Sequence, residues 1–327
     1  MSIQASQAEA TPFSRPTPSG FSHISIPSRD LAQSKRFFVE VLGGELKMDR
    51  PDLAQVQVDT FKILLGAQAG GTTPPSSEYP HYAFTVLADD FMGVKGRLEA
   101  YGVPTHEPWG RKGRPNALMY FRDPSGNQFE MYCPGGFTAV PLRYGARAGG
   151  DYVIDFAALC YDRLKPPAAN AELPRNLPGG FNHMTLPVRN MVEGKRFWVA
   201  VMGGKPVLEL PDHITVELGG CPVGMADNRG GWTEPENEYP HYTFFVNPED
   251  LLPLKESLAA YAVPTSEIWT RNGADAALYF RDPSGNLWEL YCEDGFKGAP
   301  RRGLSAGGDY APDVRALNYK TWKDPGK

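Results

Sequence analysis

The sequence predicts an α+β protein built from four βαβββ modules, two in each of two similar halves, and three observations carry that expectation. First, the chain repeats itself: GFSHISIPSRD at Gly20 returns as GFNHMTLPVRN at Gly180, SKRFFVEVLGG at Ser34 as GKRFWVAVMGG at Gly194, and EYPHYAFTV at Glu78 as EYPHYTFFV at Glu238. Internal repetition on this scale means one structural unit written twice. Second, each half runs strand, helix and three strands, then restarts the same order. Third, YFRDPSGNQFE (Tyr120 to Glu130) and its copy YFRDPSGNLWE (Tyr279 to Glu289) read as strand, tight turn, strand. Pro fixes φ in that turn and Gly supplies a positive φ.

The elements follow in order. Phe21 to Pro27 alternates as a short strand; Asp30 then caps a helix carrying Leu31, Phe37, Phe38, Val41 and Leu42 on one side, ended by Gly43-Gly44. Three strands are expected at Glu45 to Met48, Ala54 to Asp59 and Phe61 to Ala67. After a loop from Gly70 to Pro80 the pattern restarts with a strand at His81 to Val86, a helix from Asp89 to Tyr101, and strands near Thr105, Leu118 and Phe129. The expected boundaries are a disordered lead-in over 1–19, domains over 20–140 and 180–298, a linker arm over 141–179 and a C-terminal arm over 299–327. The arms repeat too, since AGGDY at Ala148 recurs at Ala306.

Composition narrows the function classes. Of the 327 residues 22% are charged and 41% hydrophobic, as in an ordinary globular protein, and a formal net charge of -5 provides no footprint for nucleic acid. The Pro/Ser-rich lead-in lacks the apolar core of a signal peptide, and no apolar run reaches membrane-spanning length. Cys133, Cys160, Cys221 and Cys292 sit singly, so reduced thiols in a cytoplasmic protein are expected.

Strand alternation singles out the chemistry. His23 and Ser25 oppose Ile24 and Ile26; His81, Ala83 and Thr85 oppose Tyr82, Phe84 and Val86; Gln128, Glu130 and Tyr132 oppose Phe129, Met131 and Cys133. One sheet face is therefore apolar and the other polar or small, so the polar face lines a cavity. His23, His81 and Glu130 fall on that face, and the second half places His183, His241 and Glu289 likewise. A buried carboxylate needs a partner, and two imidazoles with one carboxylate suit Fe(II) or another divalent transition metal. Of six histidines four belong to these sets; His106 and His213 have no counterpart in the other half.

These residues and their spacing resemble the vicinal oxygen chelate (VOC) superfamily, which includes glyoxalase I, extradiol dioxygenases, fosfomycin-resistance proteins, methylmalonyl-CoA epimerase and bleomycin-binding proteins. The resemblance runs from Gly20 to Phe137 and from Gly180 to Phe296. It implies that paired modules form two cup-shaped, glyoxalase-like domains, each around a divalent metal bound by the first, fifth and eighth strands. His23, His81 and Glu130, and His183, His241 and Glu289, match those positions. In some two-unit relatives that cleave hydroquinones the first module pairs with the fourth, which would make His23, His241 and Glu289 one site and His81, His183 and Glu130 the other. The sequence leaves both pairings open.

Four modules resemble the extradiol dioxygenases, which implies an Fe(II) enzyme that cleaves a dihydroxylated aromatic. Tyr120 and Tyr279 then correspond to the family's tyrosine near a substrate oxygen. The histidine that precedes this tyrosine in catechol-type enzymes is missing, and His213, Tyr279 and Arg271 are the candidates for its acid-base role. The alternative is a glyoxalase- or epimerase-like isomerase or lyase using Ni, Zn, Co or Mn, and a third reading is a non-catalytic resistance protein that binds a small molecule. In each case the partner is a small molecule, with vicinal oxygens in the enzymes. A homo-oligomer would have the arms reaching over a neighbouring unit; otherwise they strap the two units together. Arg111, Lys112 and Arg114, matched only by Arg271 and Asn272, read as a carboxylate clamp or a solvated loop. Trp109 and Trp269 read as pocket lining or core.

Overall fold

Four runs of elements appear in a computed structural model that describes residues 16–68, 73–137, 140–144, 149–167, 172–227, 234–303 and 307–326. Residues 1–15 of the expected lead-in, and Ala148 and Ala306 of the repeated arm motif, lie outside the described residues. The first module comprises β1 (Gly20–Ser28), α1 (Leu31–Arg36) continued by a π-helical stretch (Phe37–Val41), β2 (Glu45–Asp49), β3 (Leu53–Val58) and β4 (Phe61–Ala67). The second comprises β5 (His81–Thr85), α2 (Ala88–Ala100), β6 (Ala117–Arg122) and β7 (Gln128–Cys133). The third has β8 (Phe181–Val188), α3 (Met191–Ala200), β9 (Lys205–Leu210), β10 (His213–Leu218) and β11 (Cys221–Asp227); the fourth has β12 (His241–Phe245), α4 (Pro248–Ala260), β13 (Ala276–Arg281) and β14 (Leu287–Cys292).

Local chemistry explains most of these elements. Asp30 caps α1 by accepting from the Gln33 amide, and Asn190 does the same for α3 through Glu193. The strand expected near Thr105 does not form a ladder. Pro104 and Pro108 each remove an amide donor, and the segment's backbone meets the sheet where Trp109 exchanges two hydrogen bonds with Leu118. The DPSGN turns form as expected. Asp123 Oδ1 accepts from the Ser125 and Asn127 amides, its Oδ2 accepts from the Asn127 side chain, and Gly126 takes a φ of 90°. Each turn also clips a neighbouring module, because Asn127 Nδ2 donates to the Pro27 carbonyl and Asn286 Nδ2 to that of Pro187.

Sheet topology decides how the modules combine. One seven-stranded sheet runs β13-β14-β12-β1-β4-β3-β2 and the other β6-β7-β5-β8-β11-β10-β9. The first module thus pairs with the fourth and the second with the third. The apolar faces of both sheets share one core, in which Phe38 of the first module packs on Phe129 of the opposite sheet and the Tyr82 and Tyr242 hydroxyls meet at 3.3 Å. The polar faces turn away from that core. Among the described residues no helix is long and apolar enough to cross a membrane. The arms strap their own halves: Asn176 donates to Asp90, and Asp324 forms a bidentate pair with Arg196 at 2.6 and 2.7 Å.

His106 has a structural counterpart in Ser266, which the repeat places opposite it as VPTHE at Val103 returns as VPTSE at Val263. Its Nε2 accepts from the Tyr120 amide at 2.9 Å, the role Ser266 Oγ plays for the Tyr279 amide at 2.9 Å. Burial, aided by Arg143 and Lys95, lowers the His106 pKa to about 4 against the Glu107 carbonyl. A histidine depressed on folding takes up its proton more readily when unfolded, so stability falls as pH drops from 6.5 toward 4, by about 3 kcal/mol at most. His106→Ser, which keeps the acceptor, should flatten that part of the profile. Urea melts at pH 7 and pH 4.5 for both proteins check it, and an unchanged acid-dependent loss in the variant would refute it.

Candidate metal centres

Each centre grows from one cross-strand row. In the first sheet β1 lies against β12 with His23 opposite Thr243, and β12 lies against β14 with Thr243 opposite Glu289. His241 stands two residues before Thr243 on the same face, so His23, His241 and Glu289 converge. In the second sheet Ala83 takes the place of Thr243, opposite His183 on β8 and Glu130 on β7, and His81 completes the set. The structure therefore joins His23, His241 and Glu289, and separately His81, His183 and Glu130. Within each set the ligand atoms lie within 4.8 Å of one another.

The imidazoles are aimed. In the first centre His241 Nε2 lies 3.2 Å and His23 Nε2 3.7 Å from Glu289 Oε2, while their Nδ1 atoms are held by the Glu238 carbonyl at 2.8 Å and Ser22 Oγ at 2.9 Å. In the second, His81 Nε2 lies 3.3 Å from Glu130 Oε2 and His183 Nε2 lies 3.9 Å from Oε1. Their Nδ1 atoms meet the Glu78 carbonyl at 3.2 Å and Asn182 Oδ1 at 2.8 Å. An Nδ1 proton given to a carbonyl leaves a bare Nε2 lone pair facing the carboxylate, which is how metal-binding histidines are oriented. The donor sets fit a divalent cation.

Protonation states agree with that fit. Burial, with Arg271 and His241, lowers His23 to about 3 despite the nearby Glu289, so it is neutral at physiological pH. Burial alone would raise Glu289, but the Arg271 guanidinium and the two imidazoles hold it far below the usual carboxylate range. Arg271 Nη2 donates to Glu289 Oε1 at 2.9 Å, leaving Oε2 as the atom both histidines face.

The expected tyrosines are buried and line the two cavities. Tyr279 lines the first cavity, about 390 Å³, and its hydroxyl donates to Glu238 Oε1 at 2.8 Å. Glu238 is clamped by Arg302, whose Nη2 reaches both carboxylate oxygens at 2.5 and 2.6 Å. Tyr120 repeats this in the second cavity, about 490 Å³, with Glu78 at 2.7 Å and a bidentate Arg143. Burial and the adjacent glutamates push both phenols well above 10, so each keeps its proton and spends it on glutamate. Each phenol oxygen also accepts from its arginine, Tyr279 from Arg302 Nη1 at 3.2 Å and Tyr120 from Arg143 Nη1 at 3.5 Å, which leaves one lone pair to accept a further hydrogen bond.

Glu78, Glu238, Arg143 and Arg302 escaped the sequence reading. Their signal was present in the repeat, since each pair occupies matching positions in the EYPHY motif and in the arms. His213 lies in the second cavity wall, its Nε2 3.0 Å from Thr215 Oγ1, with His81 and His183 and away from Tyr279. Trp109 and Trp269 are buried and stack under guanidinium groups, Arg143 at 4.9 Å and Arg302 at 4.8 Å, so they are supports for the arginines.

With this geometry in view, the comparisons with known proteins are specific. A family model described as the Glyoxalase/Bleomycin resistance protein/Dioxygenase superfamily matches residues 20–131 and again 180–290. The glutathione transferase FosA of Serratia marcescens is 34% identical over 112 residues, which are 34% of this chain and 77% of that protein. The metallothiol transferase FosB of Lysinibacillus sphaericus is 26% identical over 117 residues, 36% of this chain and 83% of its own. Among solved structures, a Bacillus subtilis protein provisionally assigned as a dioxygenase covers 86% of this chain and 87% of its own with a TM-score of 0.60 at 17% identity. Glyoxalase I of Zea mays covers 84% and 92% with a TM-score of 0.55 at 16% identity. At those identities the two structures share the fold alone.

Proposed function

The chain belongs to the Glyoxalase/Bleomycin resistance protein/Dioxygenase superfamily, and from that premise we propose that it is a metal-dependent enzyme whose first centre, His23, His241 and Glu289, is an iron(II) ring-cleaving dioxygenase site for a dihydroxylated aromatic. The observation that carries this reading is the pairing of the first module with the fourth, the arrangement of the two-unit relatives that cleave hydroquinones. The walls support it: Leu53, Leu64, Tyr239, Phe245 and Tyr291 give the first cavity flat apolar surfaces for a ring.

A bound divalent ion would hold two neighbouring substrate oxygens as a Lewis acid and, as iron(II), would supply the one-electron chemistry that O2 requires. The protein's part is positioning. The Nδ1 contacts of His23 and His241 fix both rings before any ligand arrives. Arg271 keeps Glu289 ionised and places a positive charge at the cavity wall, where it favours a substrate oxygen that has lost its proton. Tyr279 accepts from a substrate hydroxyl and sets its orientation, and the buried Thr243 hydroxyl donates to Glu289 Oε2 at 3.1 Å and lies 3.1 Å from His23 Nε2.

Metal analysis of anaerobically prepared protein, followed by an oxygen electrode with a panel of catechols and hydroquinones, tests this. One O2 should disappear per diol opened, and iron bound without oxygen uptake on any diol would overturn the reading. A second reading, thiol transfer or isomerisation with Mn, Zn, Ni or Co, is favoured by the 34% identity to the glutathione transferase FosA. It predicts glutathione consumption or isomerisation with no oxygen uptake.

A further inference from the structure

The two centres carry the same ligands inside different walls. In the first, the loop before β13 brings Arg271 onto Glu289 and pairs it again with the buried Asp275, Nη1 to Oδ2 at 3.7 Å. In the second, the matching loop before β6 brings Arg111, Lys112 and Arg114 to the cavity, and Asn116 stands where Asp275 stands, accepting from the Arg111 amide as Asp275 accepts from that of Arg271. A negative charge has gone and two positive ones have been added. Among the described residues none of these three side chains forms an ion pair. Glu78 in the same wall is already committed to Arg143. Arg111 also faces a neighbouring cavity walled by Asp212 and Asp227, yet pairs with neither.

The opposite wall changes as well. β10 gives the second cavity His213 and Thr215, whereas β3 gives the first Leu53 and Gln55 at the matching register positions. Gathering three cations in one loop costs self-repulsion, and the other copy of the loop shows that the fold does not require it. A ligand of opposite charge would offset that cost.

We propose that the cavity around His81, His183 and Glu130 is a binding site for a small oxyanion, a ligand bearing a carboxylate or phosphate group, held by Arg111, Lys112 and Arg114, and that the protein therefore has two sites of different ligand class. The arginine supplies a bidentate fork, and the lysine and second arginine add charge at the mouth. The site needs no oxygen chemistry, so it stands or falls separately from the dioxygenase reading.

The test is calorimetric titration of the metal-replete full chain with succinate and with inorganic phosphate. One equivalent of at least one of them should bind, more weakly as salt rises. Arg111→Gln/Lys112→Gln/Arg114→Gln should lose tenfold or more in affinity, while Glu289→Gln, in the other centre, should bind as before. Lys112 and Arg114 are exposed, so the double variant Lys112→Gln/Arg114→Gln gives a second measurement with little risk to folding. Whichever anion binds more tightly identifies the headgroup. Binding of neither, undiminished binding in the triple variant, or loss in Glu289→Gln with retention in the triple variant would each overturn the proposal.

Discussion

His23→Ala/Glu289→Ala should retain one equivalent of tightly bound metal, and His23→Ala/Glu130→Ala should retain none. The first pair removes two ligands from one centre and leaves His81, His183 and Glu130 intact; the second takes one ligand from each. If each half instead held its own metal through His23, His81 and Glu130, the two results would exchange. Changing even a group that only orients a ligand costs about 10–100-fold in metal affinity, so removing a ligand outright should cost more than about 100-fold. Metal analysis after dialysis reads the outcome directly. The single variant Glu289→Ala should likewise lose one equivalent together with all diol-dependent oxygen uptake; full metal content in that variant would refute the assigned centre.

Arg302→Ala should destabilise the protein by about 2–4 kcal/mol near neutral pH and lower turnover at the first centre. The loss follows from stranding Glu238, a half-buried carboxylate beside His241 whose remaining hydrogen bond would be the Tyr279 hydroxyl. Burial pushes the Glu238 pKa up, and Arg302, His241 and Tyr279 together bring it below the usual range. In the wild type this group therefore adds stability above the ordinary carboxylate pKa and gives it up as pH falls through the lower folded value. Without Arg302 burial dominates, the folded pKa rises above the unfolded one, and the sign reverses: the variant loses stability as pH rises. Its deficit should thus be larger at pH 8 than at pH 5. Arg302→Lys should rescue only part, because one ammonium cannot span two carboxylate oxygens as a guanidinium does. Urea melts of the three proteins at both pH values decide it; a deficit that is equal at pH 5 and pH 8 would count against the stranded carboxylate as its cause.

Much of this was legible in the residues. The strand period of two put His23, His81, His183, His241, Glu130 and Glu289 on polar faces before any contact was known. The DPSGN run specified its turn because Asp, Pro and Gly act within five residues of one another. The expected strand near Thr105 failed for an equally local reason, the prolines at 104 and 108. Arg122 and Arg281 could not be read so easily. Each is buried, and each sends its guanidinium to backbone carbonyls of the loop before its own module's first strand: Arg122 to Thr73, Pro74, Pro75 and Ser77, and Arg281 to Pro235. A carbonyl acceptor has no signature in a sequence.

By itself the sequence determined the module, its fourfold repetition and the six candidate ligands, because all three follow from periodicity and turn chemistry within short windows. Only the tertiary structure decided which ligands meet. β1 and β8 are near copies, as are β5 and β12, so local pattern offers each strand two equivalent partners. The choice is made by contacts between residues more than 200 positions apart, such as His23 with Thr243 at 3.1 Å. Packing within each half places Arg302 over Tyr279, and the pairing of the second module with the third sets Arg111, Lys112 and Arg114 in one cavity with His81 and His183. Two cavities with one ligand set and unlike walls are the result.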